Sequence, residues 1–216
     1  MKPLISLAAR GLLAGSILLS GAAGAADVEM KASHQWPGGK GDIRDEMVQM
    51  IARHMTETGT GINITVYPGK SLYKPKEQWG PLTKGKLDIT AFPLAYAGGK
   101  HPEFNLTLMP GLVKNHDHAL RLNKSDFMKK IKEIMADNGV MVLADTWLAG
   151  GIVSKKECIL EPKDVPGMKI RAAGKAFEQM LAAAGASITS MPSSEIYTGL
   201  QTGVLDGAVT SSSSLV

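Results

Sequence analysis

Residues 165–209 alternate between strand-like and helix-like patterns, and this alternation most constrains what the chain can fold into. The strand-like segments are residues 168–171, 187–190 and 206–209. Between the first two, residues 173–184 carry apolar side chains at intervals of three and four, which predicts a helix that ends at Gly185. Strands that alternate with helices form parallel sheets with covering helices, so the stretch predicts an α/β fold.

The remaining elements follow from the same patterns. A second helix in this stretch is expected to be capped by Ser193 or Ser194 and to end at Gly203. Upstream, the predicted strands are residues 28–32, 62–67, 87–92, 140–144 and 152–154. The predicted upstream helices are residues 43–55, 77–84 and 116–135.

Three motifs carry a resemblance to a known family. They are Pro166-Gly167-Met168-Lys169-Ile170-Arg171, Met191-Pro192 followed by Ser194-Glu195-Ile196-Tyr197, and Leu200-Gln201-Thr202-Gly203-Val204-Leu205-Asp206-Gly207. In this order and spacing they resemble the extracytoplasmic solute-binding proteins of tripartite ATP-independent periplasmic (TRAP) transporters, the DctP-like family. The resemblance runs from about Val28 to the last residue. It implies a two-lobed periplasmic binding protein fold, with parallel-rich sheets and a ligand cleft between the lobes.

We expect three regions. Residues 1–26 resemble a secretory signal peptide, because Lys2 and Arg10 precede an apolar core and Ala23-Gly24-Ala25 offers a cleavage site. The alternative, an uncleaved anchor, is disfavoured because the uncharged run 11–26 is shorter than the ~20 apolar residues of a span. Residues 27–150 are expected to form lobe I and 151–216 lobe II. The resemblance implies that lobe II is incomplete and that the sequence is truncated, without the C-terminal return to lobe I.

Charge and cysteine content exclude several classes of function. The formal net charge of +4 falls to about +2 without Lys2 and Arg10, which argues against a polyanionic partner such as nucleic acid. Cys158 is the only cysteine, so an intramolecular disulfide and a cysteine cluster for a metal are excluded. His116 and His118 have no third metal ligand at a suitable spacing. The sequence predicts no metal and no cofactor.

The predicted strand ends indicate a ligand site. In parallel α/β sheets, ligands bind outside the carboxyl ends of the strands. The residues expected at or just beyond these ends include Ser33, His34, Phe92, Trp147, Arg171 and Thr210. One cation, several hydroxyl groups, an imidazole and aromatic rings suit a small organic anion.

Arg171 is the strongest candidate in this set. A guanidinium is planar and permanently charged, and it donates two parallel hydrogen bonds to a carboxylate. The alternative for any single arginine is an exposed position in solvent. The resemblance implies the binding role, because the family's signature arginine, which holds the ligand carboxylate, matches Arg171 in Lys169-Ile170-Arg171.

The resemblance implies further ligand contacts at Ser33 or His34, at Phe92, at Ser193 and at Thr210. The sequence departs from the family at three places: Ser193 stands where members often have phenylalanine, Thr210 where some have asparagine, and Gly151 where some have a second basic residue. These departures argue against a sialic-acid-type ligand. They leave Arg171 as the one group that binds a carboxylate, which we call the clamp. Trp147 would support the ligand with its aromatic ring, unless Trp147 belongs to the core.

The combined interpretation is a periplasmic, monomeric, non-enzymatic receptor. It is expected to capture a small organic anion, a carboxylate or sulfonate, and to deliver it to the membrane permease subunits of a TRAP transporter. One alternative is a secreted hydrolase that uses Cys158 or a histidine, although no nucleophile and base are paired in the sequence. Another is a receptor that serves a sensor or a different type of permease.

Overall fold

The computed structural model describes residues 27–214. The predicted signal peptide lies outside them. The strands are β1 (Val28–His34), β2 (Ile62–Tyr67), β3 (Ile89–Ala91), β4 (Gly150–Ser154), β5 (Lys169–Arg171), β6 (Ser187–Thr189) and β7 (Gly207–Ser211). The α-helices are α1 (Ile43–Glu57), α2 (Trp79–Thr83), α3 (His116–Leu122), α4 (Asp126–Asp137), α5 (Lys175–Ala183) and α6 (Ile196–Gln201). None of the helices in this described part is long and apolar enough to cross a bilayer.

The first sheet contains the three N-terminal strands in the order β2-β1-β3, and β1 is parallel to both neighbours. Ala32 of β1 is fully buried and pairs with Val66 on one side and Ile89 on the other. Helix α4 contributes Met128, Ile131 and Met135, spaced by three and four residues, to a core that also contains Trp79, Ala97, Phe104 and Val140. We call this sheet with α1–α4 lobe I.

The second sheet has the strand order β4-β7-β5-β6. Strand β5 is parallel to both β6 and β7, whereas β4 is antiparallel to β7. Ile170 of β5 and Leu181 of α5 are buried together in the core of this half, which we call lobe II with α5 and α6. The predicted α/β fold with parallel-rich sheets is therefore confirmed.

Two predicted elements before lobe II are wrong. Residues 140–144 form no strand: Val140 is buried while Met141 is 78% exposed, but no strand among residues 27–214 pairs with this segment. Alternation defines two faces and does not supply a partner, so the pattern alone does not make a strand. The predicted helix 116–135 is divided because Ser125 accepts a hydrogen bond from the Met128 N–H and starts α4.

The expected serine cap in lobe II is also wrong. Pro192 precedes a 3₁₀ turn, Ser193–Glu195, which runs directly into α6. No side-chain cap bond forms at the start of either element. The Ser193 N–H, a group that a cap would otherwise satisfy, donates instead to the hydroxyl of Tyr96 in lobe I.

Candidate functional site

Arg171 lies at the carboxyl end of β5, an interior strand of the second sheet, and its side chain is directed into the protein. The residue is 1% exposed. Nε donates to the Met191 carbonyl at 2.9 Å, and Nη1 donates to the Val209 carbonyl at 2.9 Å. Nη2 donates to the Tyr96 hydroxyl at 3.1 Å. Two segments of lobe II and one of lobe I therefore fix the guanidinium.

The charge of Arg171 is not neutralised by a nearby carboxylate. No carboxylate oxygen among residues 27–214 lies within 4.0 Å of it. Burial lowers the pKa of Arg171, while Tyr96 and the more distant Glu178 act in the opposite direction. A guanidinium has five N–H donors, and three are used in the bonds above, so two remain. Two donors on a planar cation match the two oxygens of one carboxylate.

Tyr96 joins the two lobes through one oxygen atom. It belongs to a 3₁₀ helix, Leu94–Ala97, that begins just after β3 and Pro93. Its hydroxyl accepts from Arg171 Nη2 and, at 3.0 Å, from the Ser193 N–H. Both lone pairs of the hydroxyl oxygen are then occupied, so Tyr96 can make a further hydrogen bond only by donating its hydroxyl hydrogen. The hydroxyl is therefore a third donor beside the two that remain on Arg171.

Several other contacts join lobe I to lobe II. Lys70 donates to Glu195 at 2.9 Å, and Lys76 donates to the Ser190 hydroxyl at 2.7 Å. The start of α5 passes very close to lobe I. A Cβ added at Gly174, where φ is +116°, would lie 2.9 Å from the Ala95 Cβ, so this approach requires glycine.

Arg44, at the start of α1, ties the end of the described chain to lobe I. Its guanidinium contacts Asp42 at 2.6 Å and lies 5.0 Å from the centre of the Trp36 ring. It also donates to the Ser213 carbonyl and the Ser214 hydroxyl, each at 2.8 Å. The segment that follows β7 therefore reaches the carboxyl end of β1.

His34, the last residue of β1, is fully buried. Its Nε2 lies 3.0 Å from Asp45, whose carboxylate also accepts from the Gly39 N–H and the Gln49 amide. Burial lowers the pKa of His34, and the effect of burial exceeds the opposing effect of Asp45. His34 is therefore neutral near pH 7. The carboxylate fixes its tautomer with hydrogen on Nε2 and a lone pair on Nδ1.

The other predicted site residues lie in different surroundings. Ser33 is buried in β1, and Thr210, 4% exposed, lies near the end of β7. Ser193 contacts Tyr96 through its backbone. Phe92 and Trp147, in contrast, pack against the lobe I core, and Trp147 Nε1 donates to Asn123 at 2.6 Å. None of the hydrogen bonds of Arg171 involves these two aromatic residues.

Tyr96 was not singled out from the sequence, because no helix or strand was predicted for residues 93–115. Its position could have marked it as a candidate, because it lies five residues after β3 and ligands bind near the carboxyl ends of parallel strands. The described part of the chain contains no group of three His, Cys, Asp or Glu side chains that could hold a metal. Cys158 is exposed on the surface.

Comparison with known proteins places the chain among solute-binding proteins. Residues 33–215 match the family model described as bacterial extracellular solute-binding protein, family 7. A solute-binding protein of Albidiferax ferrireducens is 38% identical over 97% of this chain and 63% of the relative. The C4-dicarboxylate-binding periplasmic protein DctP of Rhodobacter capsulatus is 30% identical over 91% of this chain and 60% of the relative. The chain thus spans about three fifths of the length of these two relatives.

Solved structures share the fold. A TRAP periplasmic solute-binding protein from Rhodoferax ferrireducens, with bound malonate, superimposes with a TM-score of 0.82 and 39% identity. The match covers 87% of this chain and 60% of that one. A TRAP periplasmic solute-binding protein from Sulfurospirillum deleyianum, with bound succinate, gives a TM-score of 0.78 and 26% identity over 88% of this chain and 62% of that one.

Proposed function

Because the chain belongs to the bacterial extracellular solute-binding protein family 7, we propose that it is the solute receptor of a TRAP transporter. It captures a small organic anion between its two lobes and delivers it to the membrane permease subunits. A receptor of this kind acts in the periplasm as a monomer. It needs no catalytic group, because closure requires only contacts that both lobes make with the ligand.

One observation carries this proposal: the guanidinium of Arg171 is buried at the lobe interface with two unused donors. A buried cation without a counter-charge is costly, and a bound carboxylate offsets that cost. The contacts with Tyr96 and with Met191 and Val209 hold the guanidinium in one orientation. A fixed orientation favours a carboxylate over a spherical anion.

The relatives support a carboxylate ligand. The protein from Rhodoferax ferrireducens was solved with malonate and that from Sulfurospirillum deleyianum with succinate. We propose a short carboxylate for this chain, held at one end by Arg171. The lobe boundary lies at the start of β4, at Gly150, one residue before the predicted start of lobe II, and Ser33, His34, Ser193 and Thr210 face the ligand. Phe92 and Trp147 would support the walls from the lobe I core.

The test is calorimetry of the full-length protein with a panel of short carboxylates. We expect reversible binding of at least one member. Arg171→Ala should weaken it by about 30-fold to several thousand-fold, since losing one partner of a buried charge pair costs roughly 2–5 kcal/mol. Arg171→Lys should recover only part of the affinity, because lysine keeps the positive charge but cannot donate two parallel hydrogen bonds to a carboxylate. The melting temperature without ligand should also fall in Arg171→Ala, because the Met191 and Val209 carbonyls and the Tyr96 hydroxyl lose a buried donor. Affinity is therefore compared on protein that circular dichroism shows to be folded.

Arg53→Ala is the matched control, because Arg53 is exposed on α1 and forms a surface ion pair with Glu46 at 3.5 Å. It should bind as the wild type does. Equal binding by Arg171→Ala and wild type would refute the clamp. Conversion of a bound carboxylate to a product, followed by NMR, would favour the hydrolase alternative.

A further inference from the structure

The buried polar side-chain atoms without a hydrogen-bond partner are concentrated in one place. Across residues 27–214, all of them belong to four consecutive residues at the end of β1 and to one glutamine. They are Ser33 Oγ, His34 Nδ1, Gln35 Nε2 and Oε1, Trp36 Nε1 and Gln78 Nε2. Each of the five residues is at most 8% exposed.

The chain segments that carry these atoms border contacts between the two lobes. Gln78 follows a short 3₁₀ helix, Pro75–Glu77, that packs against the Leu94–Ala97 helix carrying Tyr96. The Lys70 N–H donates to the His34 carbonyl, and the Lys70 ammonium reaches Glu195 of lobe II. On the other side, Arg44 lies over Trp36 and binds Ser213. The end of β1 is thus bordered by lobe II contacts on both sides.

Folding alone does not account for this group. A buried donor or acceptor without a partner costs about 1–3 kcal/mol, and folded proteins contain few of them. The amide of Gln35 has neither of its polar atoms bonded. A leucine at this position would remove that cost without loss of volume. The concentration of unpaired groups at one strand end indicates that their partner is a ligand.

The chemistry of the group is mixed. Gln35 Nε2, Gln78 Nε2 and Trp36 Nε1 are donors, whereas Gln35 Oε1 and His34 Nδ1 are acceptors. Because Nε2–H donates a hydrogen bond to the Asp45 carboxylate, the neutral ring has no hydrogen on Nδ1, which is therefore an acceptor. A carboxylate only accepts hydrogen bonds, so it would meet two acceptors that repel it. A hydroxyl group donates one hydrogen bond and accepts up to two, so it can pair with one acceptor and two donors of this set.

The surrounding charges also disfavour a second anion. Asp42 and Asp45 lie behind the end of β1, and Arg44 supplies one positive charge against their two negative charges. None of the unpaired atoms at this strand end belongs to a cation. A carboxylate placed there would be desolvated beside a net negative charge.

We propose that the end of β1 and Gln78 form a second, uncharged subsite that binds a hydroxyl group at the far end of the ligand. The ligand is then a monoanionic hydroxy acid rather than a dicarboxylate. This inference rests on the proposed function, because Arg171 holds the carboxylate end. It divides the site into a cationic half in lobe II and a neutral half in lobe I.

The test uses two sets of acids that differ only in their far end: 3-hydroxypropionate, malonate and propionate, and 4-hydroxybutyrate, succinate and butyrate. In the set whose length fits, the hydroxy acid should bind at least about 10-fold more tightly than the other two, as expected for one satisfied pair of hydrogen bonds. Tighter binding of malonate or succinate than of the matching hydroxy acid would overturn the subsite. Binding of none of the six would count against the carboxylate receptor itself.

Gln35→Leu separates the subsite from the clamp. We expect it to lose the preference for the hydroxyl group over the methyl group and to raise the melting temperature of the unliganded protein. Gln201→Leu, an exposed change on α6, is the control and should alter neither property. A Gln35→Leu variant that keeps the preference, or that is less stable than wild type, would show that Gln35 has a structural role.

Discussion

A single phenol oxygen connects the proposed clamp to the opposite lobe. Tyr96 accepts from the Arg171 guanidinium and from the Ser193 N–H, so its hydroxyl orients the cation and joins lobe I to lobe II. No sequence motif marked this residue. Arg171, in contrast, could be singled out from its position at a strand end and from the family motif around it, although its binding role stays a prediction.

Tyr96→Phe should weaken carboxylate binding. The change removes the hydroxyl that accepts hydrogen bonds from Arg171 Nη2 and the Ser193 N–H. Losing this acceptor costs about 1–3 kcal/mol, which corresponds to roughly 5-fold to 150-fold in affinity. Calorimetry with the best ligand of the panel measures it. Tyr197→Phe is the control, since Tyr197 is 76% exposed. Unchanged affinity in Tyr96→Phe would mean that this hydroxyl does not contribute to the closed state.

The stability of the protein should fall as the pH drops from 7 towards 5. The pKa of His34 is lowered in the folded state, so below about 6.5 the unfolded chain takes up the proton first. The free energy of unfolding then decreases by up to about 1.4 kcal/mol per pH unit from this group. Urea unfolding at several pH values tests this.

In His34→Gln that part of the pH dependence should be absent, whereas His116→Gln, which alters an exposed histidine, should behave as the wild type does. The same dependence of the unfolding free energy on pH in all three proteins would contradict the assignment to His34.

A further loss of stability is expected in stronger acid. Burial acts to raise the pKa of Asp42, but its bonds with Arg44 outweigh burial and lower it, so protonation of Asp42 below pH 3.8 favours unfolding.

At the scale of the elements, periodicity predicted structure well where neighbours in space agreed with it. The alternation over residues 62–67 became β2 with the predicted bounds, because β1 lies beside it to complete the ladder. The similar alternation over residues 140–144 did not become a strand, because no partner lies beside it in the described chain. Trp147 could not be assigned from sequence, since an aromatic residue near a strand end suits both a ligand wall and a core.

Ser125→Ala should destabilise the protein by about 0.5–2 kcal/mol, because the serine hydroxyl caps α4. Ser194→Ala is the matched control: it was predicted from sequence as a possible cap, but it is exposed and makes no cap bond. Its effect should stay within about 0.5 kcal/mol. Chemical denaturation of both variants measures the difference, and equal effects would show that the hydroxyl of Ser125 does not stabilise α4.

At the scale of the whole molecule, ligand binding should make the protein more compact. Arg171 and Tyr96 lie in different lobes and converge on one point, so a ligand held there favours the closed arrangement. Small-angle scattering of the full-length protein should show a smaller radius of gyration with saturating ligand. Arg171→Ala at the same ligand concentration should keep the radius of the free form. An unchanged radius in the wild type would argue against hinge closure.

The strand order of lobe II also fixes an order of assembly on the nascent chain. Strand β7, the last in sequence of the described strands, lies between β4 and β5, so these strands cannot complete their pairing before Ser211 is available. Lobe I can pair its three strands once Ala91 has emerged. During the interval β4 has no partner, and its backbone edge, with the half-exposed Ile152, is free to associate with other chains. Until Ser211 emerges, the nascent chain therefore carries an unpaired strand edge that favours association with other chains.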